Sequence, residues 1–190
     1  MLYIGVVGQI ASGKGVLVKY LTEKLGFVSF SLSSIIHDEL TKKGTKEFTR
    51  KTLQDMGDEL RRKYGADVLA RRLNEVIKGQ KTDRVVVEGI RNPGEIEFFK
   101  KNQNFILIGV RASRELRFKR LLSRRKPWDP KNWDDFLKVD RRDLGVGQDK
   151  SGQQVGKCLA YCDFILTNNR DLKNFQGKVE RLFIHKLFPS

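Results

Sequence analysis

Gly8, Gly13 and Lys14 stand in "IGVVGQIASGKGVLV", residues 4–18, at the spacing of a phosphate-cradling loop, G-x-x-x-x-G-K. An apolar strand leads into the loop and helical apolar spacing follows it. Glycines let the backbone turn with its N–H groups inward, and the start of the next helix adds a partial positive charge. Lys14 adds a movable ammonium group for β- and γ-phosphates, with Ala11 and Ser12 in the same cradle. The hydroxyl that usually follows the lysine and ligates Mg²⁺ is missing, because Gly15 and Val16 stand there. Such a loop would hold magnesium mostly through water and the nucleotide itself, which suits an ion that dehydrates reluctantly.

A second informative stretch is "RVVVEGIRNPGEIEFFK". Three valines end in Glu88, either a surface salt-bridging residue or a carboxylate that orients magnesium-bound water at a strand end. Gly89 permits a tight turn that brings Arg91 close to the phosphate loop, where a guanidinium suits bidentate phosphate contact. Asn92-Pro93-Gly94 then turns into a helix. The cysteines, Cys158 and Cys162, share one helical face as small buried side chains. With only His37 and His185 besides, no zinc set can be assembled.

The elements that must position these groups follow from apolar patterning. Short apolar blocks at 3–7, 28–31, 85–88, 105–110 and 164–167 read as strands buried on both faces. Helical spacing fills 14–25, 34–43, 48–64, 66–78, 94–101, 113–124, 132–143, 154–161 and 171–185. The alternation predicts an α/β fold with a five-stranded parallel sheet in one domain, residues 1–190. About fifty residues of helix between the second and third strands, where one crossover helix would do, predict a second binding wall at about 34–80. The polar stretch "KPWDPKNWDD" interrupts the pattern.

Lys and Arg total 38 against 23 Asp and Glu, a net charge of +15 that favours nucleotides, phosphates or nucleic acid as partners. Residues 111–126 alone hold eight basic residues and one acid, as a solvated helix face or a phosphate-gripping segment. No apolar run approaches the ~18 residues that span a membrane. The N-terminal "MLYIGVVGQ" lacks the length and basic flank of a signal peptide, so a reducing, cytoplasmic setting is expected.

Together these stretches resemble the nucleoside and deoxynucleoside monophosphate kinase branch of the P-loop kinases, across essentially the whole chain. "GQIASGKG" is similar to the loops of adenylate kinases and dephospho-CoA kinases. "EGIRNPGE" resembles the D-G-x-P-R turn whose arginine, here Arg91, grips the acceptor phosphate, and also the D-x-R-x-x-x-E run of deoxynucleoside monophosphate kinases. "TRKTLQDMGDELRR" is similar to the S/T-x-R-x-x-L-Q-x-x-G-x-E segment of those enzymes and implies Arg50 and Gln54 in the monophosphate pocket. Read without the resemblance, Arg50 is equally an exposed arginine on an amphipathic helix. "RLLSRR" resembles the run leading into an adenylate kinase lid. It implies Arg120 stacked on adenine, Arg124 on ATP phosphates, and Arg125, Arg141 and Arg142 in a short lid at about 125–145. "YCDFILTNN" resembles the A-D-x-x-I-x-N strand of dephospho-CoA kinases and implies Asn168 beside the adenine, although a strand-end cap accounts for it too. The chain also looks like archaeal nucleotide-kinase-like proteins and the kinase-like N-terminal part of fungal dCMP deaminases.

The resemblance implies a three-layer α/β/α P-loop NTPase fold using ATP and Mg²⁺, with the γ-phosphoryl group passing to a nucleoside monophosphate. Lys14, Arg91 and Arg124 would neutralise the two polyanions, and Glu88 would touch the metal through water. Loss of one such arginine is expected to cost roughly 10³-fold or more, by analogy with arginine fingers. The chain departs from the family after the second strand. There an Asp is usual in "x-G-D-x-x-R", and Ser33, Ser34 and His37 take the matching places, with Ser34 on the acceptor side. The missing Asp weighs against dephospho-CoA kinase, which uses one to receive a ribose hydroxyl proton. A nucleic-acid-associated NTPase and a nucleotide-sensing domain without kinase activity complete the alternatives.

Overall fold

The first strand, β1 (Leu2–Gly8), is apolar on both faces. Tyr3 and Val7 turn into one hydrophobic cluster while Ile4 and Val6 turn into another. That pattern suits a central strand of a parallel sheet. The computed structural model describes residues 1–102 and 104–188. Its other strands are β2 (Val28–Ser31), β3 (Arg84–Glu88), β4 (Phe105–Arg111) and β5 (Phe164–Thr167), all parallel, in the spatial order β2-β3-β1-β4-β5. The chain steps from β1 outward to β2, back to β3, and across to β4. The carboxyl ends of β1 and β3 therefore flank the place where the winding reverses, which is where open α/β sheets bind ligands.

Helix α1 (Lys14–Leu25) covers one face of the sheet together with α9 (Leu172–Leu182), burying Leu17, Leu21, Phe175 and Val179 against Ile4, Val86 and Ile108. The other face carries α2 (Leu32–Lys42), α3 (Arg50–Tyr64), α4 (Val68–Lys78), α5 (Pro93–Lys100) and α8 (Val155–Ala160). The insertion expected between the second and third strands is thus α2–α4, and its apolar faces pack on Val85 and Val87. Helices α6 (Arg114–Arg124) and α7 (Trp133–Leu144) rest on the loop after β1 through Ile10, Leu121 and Phe136.

Helix α1 starts where the apolar spacing places it, and the other helix starts differ by one or two residues, several of them for reasons of capping. Helix α3 begins at Arg50 rather than 48, because the Thr49 hydroxyl accepts from the Thr52 amide at 3.1 Å and the Thr52 hydroxyl accepts from the Thr49 amide at 2.9 Å. Asn92 caps α5 with a reciprocal pair of the same kind, and the side chains of Ser113, Asn132 and Asp171 each accept a first-turn amide at the starts of α6, α7 and α9. Helix α2 begins at Leu32, directly after β2. The last helix ends at Leu182 and passes into a π-type turn, Phe183–Leu187. Cys158 is buried in α8, but Cys162 lies beyond its end, because the helix stops at Ala160.

Candidate nucleotide site

The loop between β1 and α1 is built as its glycines require. Gly13 sits at φ 103°, and a Cβ there would come within 2.2 Å of Asn168 Nδ2. Ala11 adopts φ 58°, a left-handed conformation rare for a side-chain-bearing residue and frequent where a loop does chemistry. Lys14 Nζ donates to the carbonyls of Gly8 and Gln9, at 2.7 and 2.9 Å, which folds the ammonium over the loop. Burial, then the neighbouring Arg91 guanidinium, push the Lys14 pKa down to about 7, with Asp143 and Glu88 opposing them.

Beside the lysine opens a cleft of about 280 Å³ at the carboxyl ends of β1 and β3. Lys14, Glu88 and Arg91 line its floor, His37, Arg50 and Gln54 one wall, and Arg124, Trp128 and Asp143 the other. Its cations meet carboxylates. Arg91 Nη1 donates to Asp143 Oδ1, while Arg50 and Arg124 both hold Asp129. The Arg91 turn is fixed by Glu95, whose Oε2 accepts from the amides of Arg91 and Asn92 at 2.7 and 3.0 Å. Glu95 Oε1 in turn receives Arg61 Nε and Nη2 at 2.9 and 2.8 Å, so α3 is tied to the arginine turn through fully buried charges. Arg117 does similar work for the phosphate loop. It grips Asp140 of α7 with two bonds of 2.6 and 2.9 Å and also donates to the Ile10 carbonyl at 3.4 Å.

The structure thus brings Ala11, Lys14, Glu88, Arg91, Arg50, Gln54 and Arg124 into one cleft. Ser12 is fully buried, its hydroxyl without a partner among the described residues, turned into the loop rather than out of it. Arg120 and Asn168 meet each other on the far side of the loop. Arg120 Nη2 donates to Asn168 O and Oδ1 at 3.0 and 3.2 Å, and Asn168 Nδ2 donates to Ser12 O at 3.0 Å. Together they brace the loop from behind, at the end of β5. Gly8 is pressed against β4, where a Cβ would lie 2.3 Å from Val110 O. Gly15 and Val16 face a separate groove between α1 and α9. Ser34 donates to Ser31 O at 2.8 Å and does not line the cleft, whereas Ser31 and Ser33 do. Of the lid arginines, Arg125 and Arg141 are exposed. Arg142 is tied to Asp55 and Asp58 of α3, each at 2.7 Å. Sequence reasoning missed Asp129, Asp143, Trp128 and Gln153, which reach the site from 60 or more residues past α3 and carry no local pattern.

Among the described residues no group of three or more His, Cys, Asp or Glu could hold a metal ion. Glu88 lines the cleft floor and forms no salt bridge among the described residues. A Cβ on Gly15 would meet nothing within 4 Å, so the space of the absent hydroxyl stands open. These residues fit an ion carried on nucleotide phosphates and water, with one carboxylate behind the water.

A family model described as an AAA domain matches residues 4–136. A UPF0200 protein of Sulfurisphaera tokodaii is 34% identical over 179 residues, covering 94% of each chain. A UPF0200 protein of Methanothermobacter thermautotrophicus is 32% identical over 186 residues, 96% of this chain and 89% of its own. Among solved structures, TT1252 from Thermus thermophilus superposes with a TM-score of 0.61 at 16% identity, over 97% of both chains. The shikimate kinase from Acinetobacter baumannii superposes with a TM-score of 0.59 at 17% identity, over 98% of this chain and 96% of that one. No helix among the described residues is long and apolar enough to cross a membrane. The chain belongs to the AAA-domain family and groups with the UPF0200 proteins, and its fold is that of the P-loop kinases.

Proposed function

We propose that the protein is a phosphotransferase that moves the γ-phosphoryl group of ATP to a nucleoside or deoxynucleoside monophosphate. The observation that carries this reading is one cleft in which Lys14 of the phosphate loop faces Arg50, Arg91 and Arg124. A loop alone would bind a triphosphate. Three further guanidiniums within the same cleft suit the phosphoryl group that passes from the first anion to a second brought up to it. Repulsion between the two anions is the main obstacle, and cations fixed by Asp129, Asp143 and Glu95 answer it without rearranging during the reaction. A magnesium ion, when bound with the nucleotide, would supply further charge neutralisation, with Glu88 holding it through water. Residues 34–80 would form the acceptor wall, with Gln54 and the His37 and Trp128 rings toward the acceptor's base, and residues 125–145 the lid. Arg120 and Asn168 would support the adenine end.

A hydroxyl acceptor is the second reading. Asp143 lines the cleft with Oδ1 on Arg91 and a buried Oδ2 that has no partner among the described residues, and a carboxylate oxygen there suits a hydroxyl better than a phosphate. An ADP-release screen separates the two: ATP with each nucleoside and deoxynucleoside monophosphate, with dephospho-CoA, and with shikimate, against Lys14→Ala. Stimulation by a monophosphate supports the first reading and stimulation only by a hydroxyl compound supports the second. Turnover no higher than the acceptor-free background, for every compound, removes both.

A further inference from the structure

We infer that Asp129 is a positioning residue that joins Arg50 and Arg124 into one two-guanidinium clamp on the γ-phosphate. This rests on the ATP-binding half of the reading above. Asp129 lies between α6 and α7, flanked by Pro127 and Pro130, and is 6% exposed. Arg124 meets it with Nε on Oδ2 at 2.5 Å and Nη2 on Oδ1 at 2.8 Å. Arg50 meets Oδ1 with Nε at 3.3 Å and Nη2 at 3.0 Å. The two arginines come from different walls, one from the start of α3 and one from the end of α6, and both line the cleft. Asp129 does not line it. It stands behind them, in a separate depression with Thr49, Pro127 and Lys138.

That placement decides what the carboxylate does. A carboxylate inside the cleft would compete with phosphate, whereas one behind the arginines orients them and offsets their mutual repulsion. Each guanidinium spends its Nε and Nη2 on Asp129, and neither Nη1 makes a hydrogen bond among the described residues. The Nη1 amino group of each arginine, with its two N–H donors, is thus left for an oxyanion, and its direction is set by bonds already made. Burial alone would raise the Asp129 pKa, but Arg124 and Arg50 outweigh it and hold the carboxyl below its ordinary range. Trp128 anchors the segment on α2, with its ring 6.1 Å from that of His37.

The test measures MgATP and MgADP affinities by calorimetry for the wild type, Asp129→Asn and Asp129→Glu. The ratio Kd(ADP)/Kd(ATP) reports contact with the γ-phosphate, which a merely structural residue would leave unchanged. The wild type should prefer ATP by about tenfold or more, the strength of a charge-assisted hydrogen bond. Asp129→Asn should bring the ratio to within about twofold of one while ADP affinity holds, and Asp129→Glu should restore part of the preference. The inference is overturned by an unchanged or larger ratio in Asp129→Asn, or by a wild-type ratio near one. It is equally overturned if both variants lose ADP binding, since Asp129 would then serve folding alone. A protein that shows the predicted ratios yet transfers phosphate to no acceptor keeps the clamp and loses the phosphotransferase reading.

Discussion

Burial and the Arg91 guanidinium bring Lys14 down to about 7, so the loop lysine of the free protein loses its proton far more easily than an ordinary lysine. A triphosphate placed beside it restores the ammonium. Nucleotide binding near pH 8 is therefore expected to take up a proton, measured by calorimetry in two buffers of different ionisation enthalpy, and Lys14→Met to abolish the uptake. Affinity should weaken as pH rises above about 7. The stability sign follows from the same shift. The folded pKa lies below the ordinary 10.5, so the unfolded chain binds more protons between about 7 and 10.5. Across that window this group's contribution to stability rises with pH, and below it the cost of burying the charge is felt in full. Gly15 makes a second residue-scale prediction. With open space around its Cβ position, Gly15→Ser should fold at least as well as the parent and lower the Mg²⁺ concentration for half-maximal turnover. A magnesium titration unchanged by the substitution would place the ion elsewhere.

Elements are held to the cleft by buried ion pairs, and these set the cost of disturbing it. Arg61 and Glu95 are both fully buried, and Glu95 also accepts the amides of Arg91 and Asn92. Arg61→Met strands that carboxylate and should cost about 3–5 kcal/mol in urea unfolding. A loss within about 0.5 kcal/mol would mean that Glu95 finds water or another donor. The central strands were legible in the sequence because a parallel strand buried on both faces reads as an apolar run; 28–31 and 164–167 match residue for residue, but as edge strands they are exposed or only partly buried, not covered on both faces as expected. Helix bodies were legible from their stripes, but α2 and α3 shifted at their starts, where the direct entry from β2 and the Thr49 cap decide. The loop, Glu88, Arg91, Arg50 and Arg124 were legible because each lies in a local pattern. Asp129 and Asp143 were not, because a buried acid is recognisable only once its arginine partners are brought to it from distant helices.

For the whole molecule, the strand order places the ends of β1 and β3 side by side, and α3 and α7 close over them from opposite walls. The walls are pinned together by Arg142 on Asp55 and Asp58, and by Gln54 Nε2 on Gln153 Oε1 at 3.2 Å. Opening the cleft would break these contacts first, so Arg142→Ala should speed proteolysis within 125–145 and raise acceptor-independent ATP hydrolysis severalfold, measured as phosphate release. Equal hydrolysis in parent and variant would show that these contacts do not control water entry. Single turnover with ATP labelled at the γ-phosphorus, in a mixture of nucleoside and deoxynucleoside monophosphates, tests the central claim most directly. The label should move to a nucleoside diphosphate, and roughly 10³-fold more slowly when Arg91 is replaced by Ala. Label that stays on ATP, or leaves only as inorganic phosphate at the same rate in both proteins, would contradict it.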